Sequence, residues 1–101
     1  MEEWNQILDS ETPVVFQCST SWCRPCQVLK PLMQKAVEKL EGKVIFYYID
    51  IEKHGEIGEM LQVTGVPHVF AVKKGEIADE FEGVVSNDKI EEFLKKAAVS
   101  E

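Results

Sequence analysis

The chain has 101 residues, which is enough for one domain with a hydrophobic core but not for two. It is 45% hydrophobic and 29% charged, as is ordinary for globular proteins, and its formal net charge of −7 argues against nucleic acid and anionic membranes as partners. Because no apolar run approaches the length of a membrane span and no signal peptide pattern precedes the first element, we expect a single domain over residues 1–101.

The first two predicted elements are a short helix and a buried strand. Residues Met1–Asp9 form an amphipathic pattern with Trp4, Ile7 and Leu8 on the inner face. After a turn, the apolar run Val14–Cys18 predicts a buried strand. We expect Cys18 to pack in the core, with a regulatory or metal-binding thiol as the alternative.

The next element is a longer helix that follows a pair of cysteines. Its apolar residues recur at intervals of three and four, which predicts a helix with a wide apolar stripe: Val28, Leu29, Leu32, Met33, Ala36, Val37 and Leu40. Cys23 and Cys26 therefore lie where a strand ends and a helix begins.

The start of a helix favours an anion, because unpaired backbone N–H groups and the positive end of the helix dipole meet there. Arg24 adds a full positive charge beside Cys23, and Pro25 fits the first turn, where its missing N–H is no loss. Since the thiolate is the nucleophile in disulfide exchange, we expect a lowered pKa at Cys23. Cys26 lies further into the helix and is predicted to be the resolving thiol.

Two other uses of a C-x-x-C pair have to be considered. A structural zinc site needs four ligands, and only Cys18, His54 and His68 remain as candidates at unsuitable spacing, so we expect no metal. A structural disulfide across so short a loop is more typical of secreted chains. A redox-active pair that follows a strand is the favoured interpretation.

The second half of the chain predicts two strands, a hairpin and a helix. Val44–Ile49 is nearly continuous apolar and aromatic, which favours a central strand covered on both faces. His68–Val72 predicts another strand, and the turn at Gly75 joins it to an edge strand over Ile77–Phe81. Ser86 can cap a last helix, whose inner face comprises Ile90, Phe93, Leu94 and Ala97.

The segment Trp22–Cys26 resembles the active-site motif W-C-G-P-C of the thioredoxin family, with Arg24 in place of glycine. Further features resemble the family in the same order along the chain: Pro31, Val66-Pro67, Gly75 and Gly83. The resemblance covers about Trp4 to Leu94. Two segments, 9–15 and 50–52, are similar to mitochondrial-type thioredoxins in particular.

The resemblance implies an α/β thioredoxin-like fold, with a mixed sheet of about four strands and four helices. It also implies a helix over His54–Val63, where propensity alone is weak. Short crossovers predict that the earlier strands are parallel, and the hairpin makes the last one antiparallel. The family's usual first strand has no room here, and its loss would leave one sheet edge more open.

Several site residues follow from the resemblance alone. It implies a cis bond between Val66 and Pro67, which brings this backbone against the cysteines so that Val66 can hydrogen-bond a substrate peptide. Trp22 and Gly83 would line the same substrate groove. Thioredoxins commonly carry threonine at the position of His68, and we expect either a partly exposed strand histidine or, as the alternative, a proton shuttle. His54 is expected at the surface.

Two charged residues of the family's active site are replaced here by neutral ones. Gln17 stands where the family has a buried aspartate that exchanges protons with the resolving cysteine, and Tyr48 stands where many members have a lysine beside it. An amide cannot take a proton at neutral pH, so we expect a slower resolving step. Losing both charges together avoids an unpaired buried charge, which costs about 3–5 kcal/mol.

The resulting functional prediction is a thiol–disulfide oxidoreductase that reduces protein disulfides and needs no cofactor beyond the reversible Cys23–Cys26 disulfide. The alternative is a non-enzymatic module that binds a partner or bridges an iron–sulfur cluster between two chains. We expect a monomer that receives electrons from a reductase or a low-molecular-weight thiol. The expected location is the cytoplasm, or the mitochondrial matrix if a leader segment has been removed.

Overall fold

The structure is a computed structural model and describes residues 2–99. Its elements are α1 (Glu2–Asp9), β1 (Val14–Ser19), α2 (Arg24–Glu38), β2 (Ile45–Asp50), α3 (Gly55–Met60), β3 (His68–Lys73), β4 (Glu76–Glu82) and α4 (Asn87–Ala98). The predicted α/β class, with four helices and a four-stranded mixed sheet, is confirmed. Met1, which the predicted first helix included, lies outside the described residues.

The strands are ordered β2-β1-β3-β4, and β3 runs opposite to the prediction. β1 and β2 are parallel, whereas β3 is antiparallel to β1 as well as to β4. The reason is the length of the crossover helix. The six residues of α3 advance only about 9 Å, whereas a six-residue strand spans about 20 Å. The helix therefore does not carry the chain back along the sheet, and β3 begins at the edge where β2 ends.

β2 is an edge strand of the described sheet, so the prediction of a central strand was wrong. The central strands are β1, in which every residue is buried, and β3. The apolar run of β2 reflects its two covered faces, because Phe46 packs against one core and Tyr47 against the other. Periodicity reports what lies above and below a strand, not what lies beside it.

Two hydrophobic cores lie on opposite faces of the sheet. In β1, Val15 contributes to the core beneath α2 and α4, whereas Phe16 and Cys18 contribute to the core beneath α1 and α3. Successive residues of a strand point to opposite faces of the sheet, so neighbouring positions of β1 join different cores. The predicted core position of Cys18 is confirmed.

The helices bury fewer apolar side chains than their sequence patterns predict. α2 buries Cys26, Leu29 and Met33, but Val28 is 51% exposed because it lies about 100° around the helix from Leu29. Met60, at the last position of the short α3, is 55% exposed. Val28 belongs to the apolar stripe predicted for α2, and the expectation that it faces the interior was wrong.

The hairpin and the last helix fold as predicted. Lys74 and Gly75 both have positive φ, at 52° and 79°, as a two-residue type I′ hairpin requires. The Ser86 hydroxyl caps α4 by accepting from the Lys89 N–H at 3.3 Å. The predicted inner face of α4 is buried as expected, and β4 is the opposite edge strand. Over the described residues, no helix is both long and apolar enough to cross a membrane.

Candidate active site

The candidate site is the disulfide between Cys23 and Cys26 at the junction of β1 and α2. The Cα atoms of the two cysteines are 5.3 Å apart. Cys23 has an extended backbone and is the N-cap of α2, and its Sγ accepts a hydrogen bond from the Cys26 N–H at 3.1 Å. One of the unpaired N–H groups of the helix start is therefore directed at the first sulfur.

The two cysteines differ in depth. Cys23 is 3% exposed and Cys26 is fully buried beneath it. Arg24 and Pro25 form the exposed start of α2, as predicted. Trp22, which precedes the pair, is 70% exposed. The site therefore presents a large aromatic surface and a cation beside a sulfur at the protein surface.

Glu52 is part of the site and was not predicted to be. Its Oε2 accepts from the Trp22 indole N–H at 3.0 Å, and its Oε1 accepts from the Ser21 hydroxyl at 3.2 Å. The pairing of β1 with β2 is the feature from which this contact could have been predicted. β1 and β2 are parallel, so the residues after their carboxyl ends meet at the same end of the sheet, where an acidic side chain can accept from the Trp22 N–H.

The Val66–Pro67 peptide bond is cis, as predicted. The Pro67 carbonyl accepts from the Gly83 N–H at 2.9 Å, which ties this segment to the end of β4. A cavity of about 500 Å³ lies between this segment and the start of α2, lined by Thr20, Trp22, Cys23, Arg24, Pro25, Ile51, Val63, Thr64, Gly65 and Val66. Trp22 and Val66 thus line one cavity, whereas Pro67 and Gly83 lie outside its lining.

Gln17 is fully buried and contacts Cys26. Its Nε2 donates to the Cys26 carbonyl at 3.1 Å and to the Ser19 hydroxyl at 3.0 Å. Because a backbone carbonyl only accepts hydrogen bonds, the amide nitrogen must face Cys26. The Gln17 Oε1 atom is then left buried without a hydrogen-bond partner within residues 2–99. Tyr48 is directly opposite Gln17 in the register of β1 and β2, and the Lys30 ammonium lies 4.2 Å from its ring centroid.

His68 is buried, with 4% exposure, so the prediction of a partly exposed histidine was wrong. Its ring stacks on Phe70 at 4.2 Å, and its Nε2 and Nδ1 lie 2.8 and 3.4 Å from carboxylate oxygens of Glu80 and Glu82. These partners on β4 cover the ring, and the sequence gives no signal of cross-strand contacts. Its ring therefore engages β4 and not the cysteine pair.

The remaining metal-ligand candidates are separate from the disulfide. Cys18 is a free, buried thiol whose pKa is raised to about 12 by burial. His54 is half-buried and immediately precedes α3, so it is less exposed than expected. In the part of the chain that the structure describes, no three His, Cys, Asp or Glu side chains form a group that could hold a metal ion.

Comparison with known proteins gives a consistent result. The family model described as Thioredoxin matches residues 1–96. The chain is 40% identical over 92 residues to "Thioredoxin, mitochondrial" of Mus musculus, covering 91% of this chain and 55% of that protein. It is 31% identical over 90 residues to "Probable thioredoxin-2" of Caenorhabditis elegans, covering 89% of this chain and 62% of the relative. A third relative is "Thioredoxin Y, chloroplastic" of Oryza sativa subsp. japonica, 32% identical over 95 residues, covering 93% of this chain and 56% of the relative.

The chain thus spans little more than half the length of the mouse and rice proteins. The matched region contains Cys23 and Cys26 at C-x-x-C spacing. These matches support thiol–disulfide oxidoreductase chemistry. The alternative of a non-enzymatic module that bridges a cluster has no support from them.

Proposed function

Because this chain belongs to the thioredoxin family, we propose that it reduces disulfide bonds in other proteins by dithiol exchange. The observation that carries the proposal is the Cys23–Cys26 disulfide at the start of α2, with the Cys26 N–H directed at the Cys23 sulfur. The same N–H can donate to a thiolate when the pair is reduced. Together with the helix dipole and the Arg24 charge, it favours the thiolate form of Cys23.

The reaction has two exchange steps. The Cys23 thiolate attacks one sulfur of the substrate disulfide, so that a mixed disulfide forms and the other substrate sulfur leaves as a thiolate. Cys26 then loses its proton and attacks the Cys23 sulfur, which breaks the mixed disulfide and releases the second substrate thiolate. The substrate gains two electrons and two protons. A reductase or a low-molecular-weight thiol then returns two electrons to the Cys23–Cys26 disulfide.

Gln17 acts on the second step. Its amide holds the Cys26 carbonyl but cannot accept the thiol proton at neutral pH, so this proton passes to solvent. The unpartnered Oε1 is available to accept a hydrogen bond from the Cys26 thiol once the disulfide is reduced. Such a bond favours the protonated thiol and slows its attack. Tyr48 stands where many family members have the lysine that pairs with the buried aspartate, so both charged residues are replaced by neutral ones.

The substrate binds as an extended segment across the cavity beside the disulfide. Trp22, Pro25 and Val66 offer it apolar surface, and the Val66 backbone offers it strand-like hydrogen bonds. Gly83 lies against the Pro67 backbone and leaves space for the segment on that side.

The protein acts as a monomer. Its location is the mitochondrial matrix, as the names of its mammalian relatives suggest, or the cytoplasm.

Insulin reduction with dithiothreitol as electron donor tests this function. Wild-type protein should accelerate the reduction, and Cys23→Ser should abolish the acceleration because a hydroxyl is not ionised at neutral pH. Cys26→Ser should retain the first step only and accumulate a mixed disulfide that gel electrophoresis detects under non-reducing conditions. Cys18→Ala is the matched control and should remain active. A wild-type protein that does not accelerate insulin reduction contradicts the proposal.

A further inference from the structure

The cavity beside the disulfide has one charged side chain among its lining residues, and that side chain is Arg24. The other lining residues are neutral. The chain as a whole has 18 acidic and 11 basic residues, so the one charge in the lining is opposite in sign to the net charge of the molecule. A ligand segment that lies in the cavity meets a local positive charge on a negatively charged protein.

Among the residues that the structure describes, no carboxylate neutralises the charge of Arg24. Lys39, His68 and Lys96 form ion pairs with acidic side chains, whereas Arg24 forms none within residues 2–99. The acid that contacts the site, Glu52, uses one oxygen for Trp22 and the other for Ser21. Arg24 therefore has its donors available for a ligand.

We propose that Arg24 selects substrate proteins that carry an acidic residue one or two positions from their reactive cysteine. The inference rests on the proposed disulfide-reductase function and specifies the substrates of that site. In the mixed disulfide, the substrate sulfur is bonded to Cys23, which precedes Arg24 in the chain. Extended residues advance about 3.4 Å each, so a carboxylate one or two positions away comes within reach of the guanidinium. Arginine pairs with carboxylates through two parallel hydrogen bonds.

One acid lies at the site, Glu52, and its two oxygens accept hydrogen bonds from Ser21 and Trp22. The rest of the net charge of −7 is spread over the molecule. At physiological ionic strength the screening length is about 8 Å, so charges on the far side of the molecule are largely screened. A carboxylate in contact with Arg24 is screened much less. At about 0.15 M salt, the attraction by Arg24 therefore outweighs the repulsion by the distant acidic residues.

The experiment uses two single-cysteine peptides of identical composition, each oxidised to its symmetrical disulfide dimer. One peptide has glutamate next to the cysteine, and the other has it six positions away, so their net charges match. Pre-reduced protein is mixed with each dimer at about 0.15 M salt, and the second-order rate constant of the first exchange is measured. For each protein, the rate constant for the peptide with the neighbouring glutamate is divided by the rate constant for the peptide with the distant glutamate. This near-to-far ratio is then divided by the same ratio measured with dithiothreitol, which removes the intrinsic reactivity of the peptides.

For wild-type protein we expect a corrected near-to-far ratio of about two to five, the range of an exposed ion pair. Arg24→Lys should retain most of it, Arg24→Gln should bring it to about one, and Arg24→Glu should bring it below one. Lys35→Gln is the matched control. It removes the same charge from an exposed position on α2 about 16 Å along the helix, and should leave the ratio at the wild-type value.

A wild-type ratio of one, or a ratio that Arg24→Gln leaves unchanged, overturns the preference while the reductase function stands. A ratio that Lys35→Gln lowers as much as Arg24→Gln does also overturns it, because the effect is then one of overall charge. If wild-type protein reduces neither peptide nor insulin, the proposed function fails and the preference fails with it.

Discussion

Two cysteines that are five residues apart, Cys18 and Cys23, show how surroundings decide the chemistry of a thiol. Both are almost completely hidden from solvent, so exposure does not separate them. Cys18 lies among apolar side chains, and burial raises its pKa to about 12. Cys23 instead caps a helix and receives a backbone N–H at 3.1 Å. We therefore expect a nearly buried sulfur to be reactive where backbone donors face it, and inert where only apolar groups do.

The largest expected effect is the selectivity of alkylation in the reduced protein. At pH 7, a thiol with a pKa of about 12 is ionised in roughly one molecule in 100,000, so iodoacetamide should modify Cys23 at least about 1,000 times faster than Cys18. Mass spectrometry of the labelled protein over time checks this. Cys18 should react readily only in denaturant. Equal labelling of both thiols in the native protein would remove the basis of the comparison.

The second effect is a loss of stability at alkaline pH. Below the pKa of 9.0 that the Cys18 thiol has when exposed, both the folded and the unfolded states keep it protonated. Between pH 9 and about 12 the unfolded state ionises first, so the free energy of unfolding falls, by up to roughly 4 kcal/mol. Urea unfolding from pH 8 to 11 measures the fall. Cys18→Ala should be less stable at pH 8 and should show a shallower slope, and an identical slope would contradict the explanation.

The third effect concerns the neutral environment of Cys26. Gln17→Asp supplies a general base and should accelerate the resolving step by about 10- to 100-fold, as stopped-flow reduction of a disulfide substrate would show. It also buries a charge, so the free energy of unfolding should fall by about 3–5 kcal/mol. Adding Tyr48→Lys on the neighbouring strand should recover part of that loss. An unchanged or lower rate in Gln17→Asp would show that the resolving step is not limited by proton transfer.

The smallest effect is on the redox potential. At ~6 Å and an effective dielectric of roughly 40, Arg24 stabilises the Cys23 thiolate by ~1.4 kcal/mol. The thiolate belongs to the reduced form, so Arg24→Gly should make the potential more negative by ~30 mV, toward the value of about −270 mV that is typical of thioredoxin. Equilibration with a glutathione buffer measures it, and Arg24→Lys should retain the wild-type value. A less negative potential in Arg24→Gly would mean that Arg24 does not stabilise the reduced form.

The sequence was sufficient for the elements that local patterns determine. The strand–cysteine–helix junction, the hairpin at Gly75 and the Ser86 cap depend on residues close together in the chain, and all three were predicted. The direction of β3 was missed, because it depends on how far α3 carries the chain. The edge position of β2 was missed, because its apolar pattern describes its faces and not its neighbours.

At the site, the sequence identified the residues of the motif but not their partners. The burial of His68 depends on Glu80 and Glu82 across the hairpin, and the contact between Glu52 and Trp22 depends on the parallel pairing of β1 and β2. Such contacts join residues 12 to 30 positions apart. The parallel pairing of β1 and β2 and the hairpin were predicted from the sequence, but the register of each strand pair and the side-chain contacts across it were not.

The hydrogen bond from Trp22 to Glu52 has a consequence for the speed of recognition. An exposed tryptophan would otherwise sample several rotamers, and fixing a mobile side chain on binding costs about 0.5–1.5 kcal/mol. Here the indole is already held at 3.0 Å before any substrate arrives, so that entropy has been lost during folding. If Trp22 contacts the substrate as proposed, an encounter meets a side chain that is already positioned, so we expect a larger fraction of collisions to proceed to exchange.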